Sequence, residues 1–281
     1  MRVAVNLVFL VPGETGGTET YARGLVPALA ELLGPAAITL LASDAIAREL
    51  RERPWAAGAR VHELPIPGRS RLRRTLAEQT LVPAAARRAG VDVLHNLQSV
   101  APALRGARAT VTTVLDLLYL HHPDTHSPLL RRGMGVLVPM AVRRSDRVIA
   151  ISQATKDDLV RSLGAPADKV DVVHLGPGLE PVAPLAEAEL RRRHRLGDRP
   201  FLLSPSARRA HKNLPRLLEA LAATEPDLLL VLPGYATGEE DGLAELAQRL
   251  GVRDRVRFAG WVPDDELEAL YRGARALVFP S

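Results

Sequence analysis

The sequence predicts an α/β chain of two doubly wound units, each a parallel sheet with helices on both faces. Three observations carry this. Short apolar runs alternate with amphipathic stretches along the whole chain, the pattern of strands and covering helices in a parallel sheet. The alternation breaks once, at Gly176-Pro177-Gly178 followed by Pro181 and Pro184, and then restarts. The length of 281 residues, 47% of them apolar, exceeds one typical domain of roughly 100–200 residues.

The elements follow in order. Arg2 to Val8 is an apolar, β-branched run and reads as a buried first strand. Residues 13–17 make a loop. Thr18 to Leu33 has helical spacing through Tyr21, Leu25, Leu29 and Leu32, and Gly34 ends it. Ala37 to Leu41 is the next strand, and Ser43 or Asp44 can cap a helix through Leu50. Strands are expected at Arg60–Leu64, Asp92–His95, Thr110–Leu115, Arg147–Ile151 and Lys169–His174, with helices at Arg71–Ala89, Leu129–Arg144 and Ala154–Leu163. Right-handed crossovers make this a Rossmann-like layer.

After the proline-rich break comes a basic helix, Leu185–Leu196. Strands Pro200–Leu203, Leu228–Leu232, Val256–Phe258 and Ala276–Phe279 then alternate with helices Leu214–Ala222, Gly242–Leu250 and Asp264–Tyr271. The domains are therefore set at 1–177 and 178–281. The second ends on a strand where a doubly wound domain usually continues, so it is expected to be incomplete at its C-terminal end.

Composition excludes several classes. Cysteine is absent, which removes disulfides and thiolate chemistry. No apolar run approaches the roughly 20 residues that span a bilayer. The apolar start, Met1 to Pro12, lacks a small-residue cleavage site, so the reading is a strand in a cytoplasmic protein. The formal charge of +5 is carried almost wholly by arginine; only Lys156, Lys169 and Lys212 are lysines. Compositional bias explains this first. A second explanation is a preference for phosphate-bearing ligands or an anionic membrane face. Peripheral contact with the inner face of a membrane through Arg71–Arg88 stays open. With 4% aromatics and no recognition motif, no nucleic-acid partner is expected.

Two loops carry candidate chemistry. Gly13-Glu14-Thr15-Gly16-Gly17-Thr18-Glu19 joins the first strand to the first helix, at the carboxyl edge of the sheet. Backbone N–H groups and the helix dipole there make an anion site, although the spacing is neither G-x-G-x-x-G nor a Walker loop. Arg208-Arg209-Ala210-His211-Lys212-Asn213 follows a strand of the second unit, where cations can hold a diphosphate and stabilise its charge as a leaving group. A solvated basic turn is the plainer alternative. His121, His122 and His126 include an i, i+4 pair, but Pro123 disfavours a regular helix and no third ligand is evident, so no metal site is expected. No Asp-x-Asp and no G-x-S-x-G occurs.

Taken together, the stretches resemble glycosyltransferase family 4. Gly16-Gly17-Thr18-Glu19-Thr20-Tyr21 is similar to its G-G-x-E-x-Y segment, and Thr113-Val114-Leu115-Asp116-Leu117 to its T-x-H-D-L. Arg147 to Ser152, with Lys156 and Leu159, resembles its "vi-x-vS-x-x-t-k-x-x-l" stretch. His211-Lys212-Asn213-Leu214 is similar to R-K-N-L, Arg255 to Gly260 to "drVxflG", and Leu270 to Ser281 to "lYxxAxxxvxPS". The resemblance implies the GT-B fold of two Rossmann-like domains, the first on the acceptor side and the second holding a nucleotide-sugar.

It further implies a retaining transfer of a sugar to an acceptor hydroxyl of a glycan, a lipid-linked molecule or a small molecule. Asp116, His121 and Lys212 are the implied catalytic candidates. Gly16, Gly17, Ser206, Arg208, Arg209, Lys212 and Gly234 are implied contacts of the donor diphosphate and acceptor loop. The nucleotide-sugar is a co-substrate, and neither cofactor nor metal is expected, because arginine and lysine would stabilise the leaving phosphate. The chain departs from the family in three places. Leu115 replaces the histidine of His-Asp, so His121 or His122 is asked to substitute. Ser206 stands where glycine is usual. The glycine-rich E-x7-E segment would follow Ser281, so these 281 residues are expected to bind donor poorly. The alternatives are a nucleotide-sugar 2-epimerase of the same fold and an inactive donor-binding fragment.

Overall fold

The computed structural model describes residues 1–11, 16–66, 71–123, 127–178, 182–234 and 240–281. The chain divides into two units, Met1–Leu179 and Glu180–Ser281.

In the first unit seven strands form one parallel sheet. They are β1 (Val3–Asn6), β2 (Ile38–Ser43), β3 (Arg60–Leu64), β4 (Val93–Asn96), β5 (Ala109–Val114), β6 (Arg147–Ala150) and β7 (Val170–Val172). Their order is β3-β2-β1-β4-β5-β6-β7. The helices are α1 (Gly17–Leu33), α2 (Asp44–Glu52), α3 (Arg71–Ala89), α4 (Leu118–His121), α5 (Pro128–Arg144) and α6 (Gln153–Leu163). Every residue of β1 and β2 is buried, as central strands covered on both faces must be. Side chains alternate between faces. Val3 and Val5 pack with Ala22 and Val26 of α1 and Ile46 and Leu50 of α2, while Ala4 packs with Val82 and Ala86 of α3.

Strand order reverses between β1 and β4, which pair in register with Asn6 opposite Asn96. Ligands of open α/β sheets bind beyond the carboxyl ends at such a point. The paired part of β1 is shorter than the predicted Arg2–Val8. The side-chain oxygen of Asn6 accepts the Val8 N–H at 3.2 Å, and this turn ends the ladder. Ser43 precedes α2 as expected, but its hydroxyl makes no capping bond.

The second unit has four parallel strands, β8 (Phe201–Leu203), β9 (Leu229–Pro233), β10 (Val256–Gly260) and β11 (Ala276–Leu277), in the order β10-β9-β8-β11. Helices α7 (Glu187–Arg193), α8 (Leu214–Ala222), α9 (Glu240–Arg249) and α10 (Asp264–Gly273) cover it. Leu230 and Leu232 face α8 and α9, whereas Leu229 and Val231 face the opposite core with Leu190 and Leu270. Here the order reverses between β8 and β11. The helix expected over Leu185–Leu196 is shorter. It ends at His194 because Arg195 is left-handed, at φ 51°, which turns the buried Leu196 back into the core.

Candidate functional site

Each unit carries a candidate at the carboxyl edge of its sheet. In the first, Gly16 precedes α1 with φ 57°, and its carbonyl accepts from the N–H groups of Glu19 and Thr20. Among the described residues, a Cβ at Gly16 or Gly17 would meet nothing within 4 Å. Gly13, Glu14 and Thr15 of the predicted loop, and His126, lie outside the described residues.

At the carboxyl ends of β1 and β4 is a set of buried polar groups absent from the sequence-based candidates. Asn6 Nδ2 donates to Glu78 Oε1 of α3 at 2.8 Å and to Asn96 Oδ1 at 3.0 Å. Burial pushes the Glu78 carboxyl up to about 7, against the opposing effect of the Asn6 hydrogen bond. On the neighbouring strand the Thr113 hydroxyl lies 2.9 Å from His95 Nε2 and 3.1 Å from the Tyr21 hydroxyl of α1. Burial lowers His95 to about 4, so its ring is neutral near pH 7. Thr113 therefore ties the helix that carries Gly16 and Gly17 to β4 and β5. The visible signal was a polar residue closing each of two apolar strands, Asn6 and Asn96.

Asp116 and His121 stand at the two ends of α4. Asp116 is exposed, and its Oδ1 accepts the Leu118 N–H at 3.0 Å, which starts the short helix. His121 Nε2 lies 3.1 Å from Asp158 Oδ2 of α6, and Asp158 also holds Arg161. The His121 ring is thus already engaged by a carboxylate on another element. Between α4 and α5 a cavity of about 400 Å³ is lined by Tyr119, Leu120, Pro123, Arg131, Arg132 and Gly135. The Tyr119 hydroxyl is buried without a hydrogen-bond partner among the described residues. Among the described residues no group of three or more His, Asp and Glu could hold a metal ion.

In the second unit the loop from Ser204 to Asn213 leaves the end of β8, beside the strand-order reversal. Ser204 and Ser206 donate their backbone N–H groups to Val231 and Pro233, while their hydroxyls are buried with no hydrogen-bond partner among the described residues. Gly234, at φ 149°, lies against the backbone of Ser206, where a Cβ would overlap the Ser206 carbonyl. The Gly234 N–H is used by Gly260 O at 2.7 Å.

The three predicted cations separate. Arg208 is 3% exposed; its Nη2 donates to Leu232 O at 3.2 Å, and its guanidinium lies over the Phe258 ring. Desolvating an arginine requires such partners, so Arg208 braces the loop from within. Arg209 is exposed and Lys212 is half-buried, in the turn before α8. Asn213 follows in the left-handed region, at φ 52°, and its Nδ2 donates to Pro280 O at 3.4 Å.

Residues 15–179 match the model described as Glycosyltransferase Family 4, and residues 186–281 that described as Glycosyl transferases group 1. The chain is 27% identical to O-antigen chain mannosyltransferase B of Escherichia coli, over 61% of this chain and 46% of that protein. It is 32% identical to D-inositol 3-phosphate glycosyltransferase of Streptomyces scabiei, over 70% of this chain and 44% of that protein. It thus spans about half the length of the curated relatives it matches. Among solved structures, HepE of Anabaena in complex with UDP and glucose superposes with a TM-score of 0.73 at 21% identity. That superposition covers 100% of this chain and 74% of HepE. The fold class is GT-B.

Proposed function

The chain belongs to Glycosyltransferase Family 4, and from that premise we propose that it takes part in retaining transfer of a sugar from a nucleotide-sugar to an acceptor hydroxyl. The observation that carries this reading is the pair of buried, unpartnered hydroxyls of Ser204 and Ser206 at the carboxyl end of β8. A buried hydroxyl without a partner costs about 1–3 kcal/mol, and a bound phosphate would relieve it. Lys212 lies in the same loop, half-buried and able to reach an anion. UDP in the HepE complex is consistent with a nucleotide as the ligand class.

In this reading the second unit binds the donor. Lys212 and Arg209 face its diphosphate, Ser204 and Ser206 donate to it, Arg208 supports the loop, and Gly234 permits the close backbone packing. As the glycosidic bond to phosphate breaks, negative charge gathers on the leaving diphosphate and the sugar becomes oxocarbenium-like. Fixed cations lower that barrier without reorganising. The acceptor hydroxyl attacks from the face the diphosphate leaves, and a phosphate oxygen takes its proton. The first unit holds the acceptor at the Gly16–Gly17 helix start, near Asp116 and His121. A phosphate-bearing or polyhydroxyl acceptor would suit Arg131 and Arg132 in the adjoining cavity. No metal is assigned a role.

The test is calorimetric titration with UDP- and GDP-sugars. Lys212→Ala should weaken donor binding roughly tenfold or more, as expected for loss of a charge-assisted contact to phosphate. Unchanged affinity in that variant would reject the assignment. Incubating the parent with donor alone separates transfer from epimerisation, since only an epimerase would release a changed sugar nucleotide without an acceptor.

A further inference from the structure

A second concave feature of the first unit lies on the opposite edge of its sheet, at the amino ends of β5, β6 and β7. It is a groove of about 460 Å³ whose polar lining comes from separate chain segments. Arg105 arrives from the β4–β5 connection, Arg143 and Arg144 from the last turn of α5, Arg147 from the start of β6, and Lys169 from the turn before β7.

The charges do not cancel. Five cations face only Asp146 and Asp168, a formal charge of +3, or +2 when Asp171, which holds Arg147, is counted as well. Both Asp146 oxygens are already engaged. One of its oxygens accepts the Thr110 N–H at 2.7 Å and the other accepts from Arg105 at 2.5 Å. Its carboxyl lies below the usual carboxylate range; burial opposes this shift, while these two hydrogen bonds produce it. Lys169 Nζ donates to the Arg143 carbonyl at 2.8 Å, so its ammonium is held at the α5 C-terminus, and burial lowers its pKa. Arg143 and Arg144 are exposed, and among the described residues neither side chain is in an ion pair.

Cations at a helix C-terminus are ordinarily explained by the macrodipole, which presents about half a negative charge there. Half a charge does not balance a surplus of two to three. Guanidinium groups that line a concave site match the geometry of phosphate oxygens and can bind them bidentately.

We infer that this groove is a binding site for a phosphoryl group, with Arg143 and Arg144 as its principal contacts. The group belongs either to a soluble phosphate or pyrophosphate or to a phospholipid headgroup. The groove lies at the opposite edge of its sheet from the first unit's own candidate, and it does not depend on the function proposed above.

Calorimetry at low ionic strength tests it, with inorganic phosphate and pyrophosphate as probes in a Lys212→Ala background, so that the second unit contributes little. A parallel arm uses sedimentation with phosphatidylcholine vesicles with and without phosphatidylglycerol. Circular dichroism melting checks that each variant is folded. Pyrophosphate binding that falls roughly tenfold or more in Arg143→Ala/Arg144→Ala supports the site with a soluble ligand. Sedimentation only with phosphatidylglycerol, lost in the same double variant, supports it with a headgroup. If neither probe binds, or the folded double variant binds as well as its parent, the inference is overturned.

Discussion

Glu78 shows how much a single buried group can carry. Its hydrogen-bond donor is the Asn6 amide, no cation among the described residues offsets its burial, and its pKa rises to about 7. The unfolded carboxyl ionises near its ordinary value of 4.5, so between the two values the folded chain holds a proton that the unfolded chain has released. The stability this confers is full below pH 4.5 and is lost as pH rises to about 7. The size at neutral pH is on the order of 3 kcal/mol. His95 has the opposite slope. Its pKa falls from 6.5 to about 4, so stability present above 6.5 is lost as pH drops towards 4. The two slopes largely offset each other between them. Glu78→Gln keeps an acceptor for Asn6 and removes the titration. It should raise the urea midpoint at pH 8, leave it unchanged at pH 4, and uncover the His95 slope between. A variant that tracks the parent at every pH would contradict the burial argument.

Among the elements, the loop after β8 depends on a glycine in the next crossover. Gly234 sits at φ 149°, where side chains are strained, and the Ser206 carbonyl occupies the place of its Cβ. Backbone cannot yield there as a flexible side chain would. Gly234→Ala should therefore destabilise the second unit by on the order of 3 kcal/mol and displace Ser204 and Ser206. Chemical denaturation followed at Trp261 would measure the first effect, and donor titration the second. A substitution with neither consequence would show that the loop moves freely off β9. Helix α7 teaches a related lesson. Its predicted extent ran through residues that are helical by composition, but the left-handed Arg195 is stabilised from outside, as Arg257 donates to its carbonyl.

At the scale of the molecule, each unit encloses its own cores. The three clusters of the first draw on α1 to α6, and the two of the second on α7 to α10. Separate cores predict separate unfolding. The chain has two tryptophans, Trp55 in the first unit and Trp261 in the second. Single-tryptophan variants Trp55→Phe and Trp261→Phe should give urea transitions with different midpoints. Superimposable curves would mean the units unfold as one.

The order and type of the longer elements were readable from the chain alone; the short α4, Leu118–His121, was not, because the reading let Pro123 rule out a helix that ends two residues before it. Arg60–Leu64, Arg71–Ala89 and Leu214–Ala222 match residue for residue, because apolar spacing and helix stops are local properties of ten or twenty residues. The basic loop at 208–213 was also visible, as was its place after a strand. Its internal division was not. Whether Arg208 or Lys212 reaches outward depends on Leu232 and Phe258, which come from later strands. The cluster of Asn6, Glu78 and Asn96 was equally out of reach, since its members lie 72 and 90 positions apart. Composition and periodicity dictate which segments become strands. Which strands become neighbours, and so which polar side chains are buried together, is settled only when crossovers close the sheet, because that pairing is a long-range balance of burial against unmet hydrogen bonds.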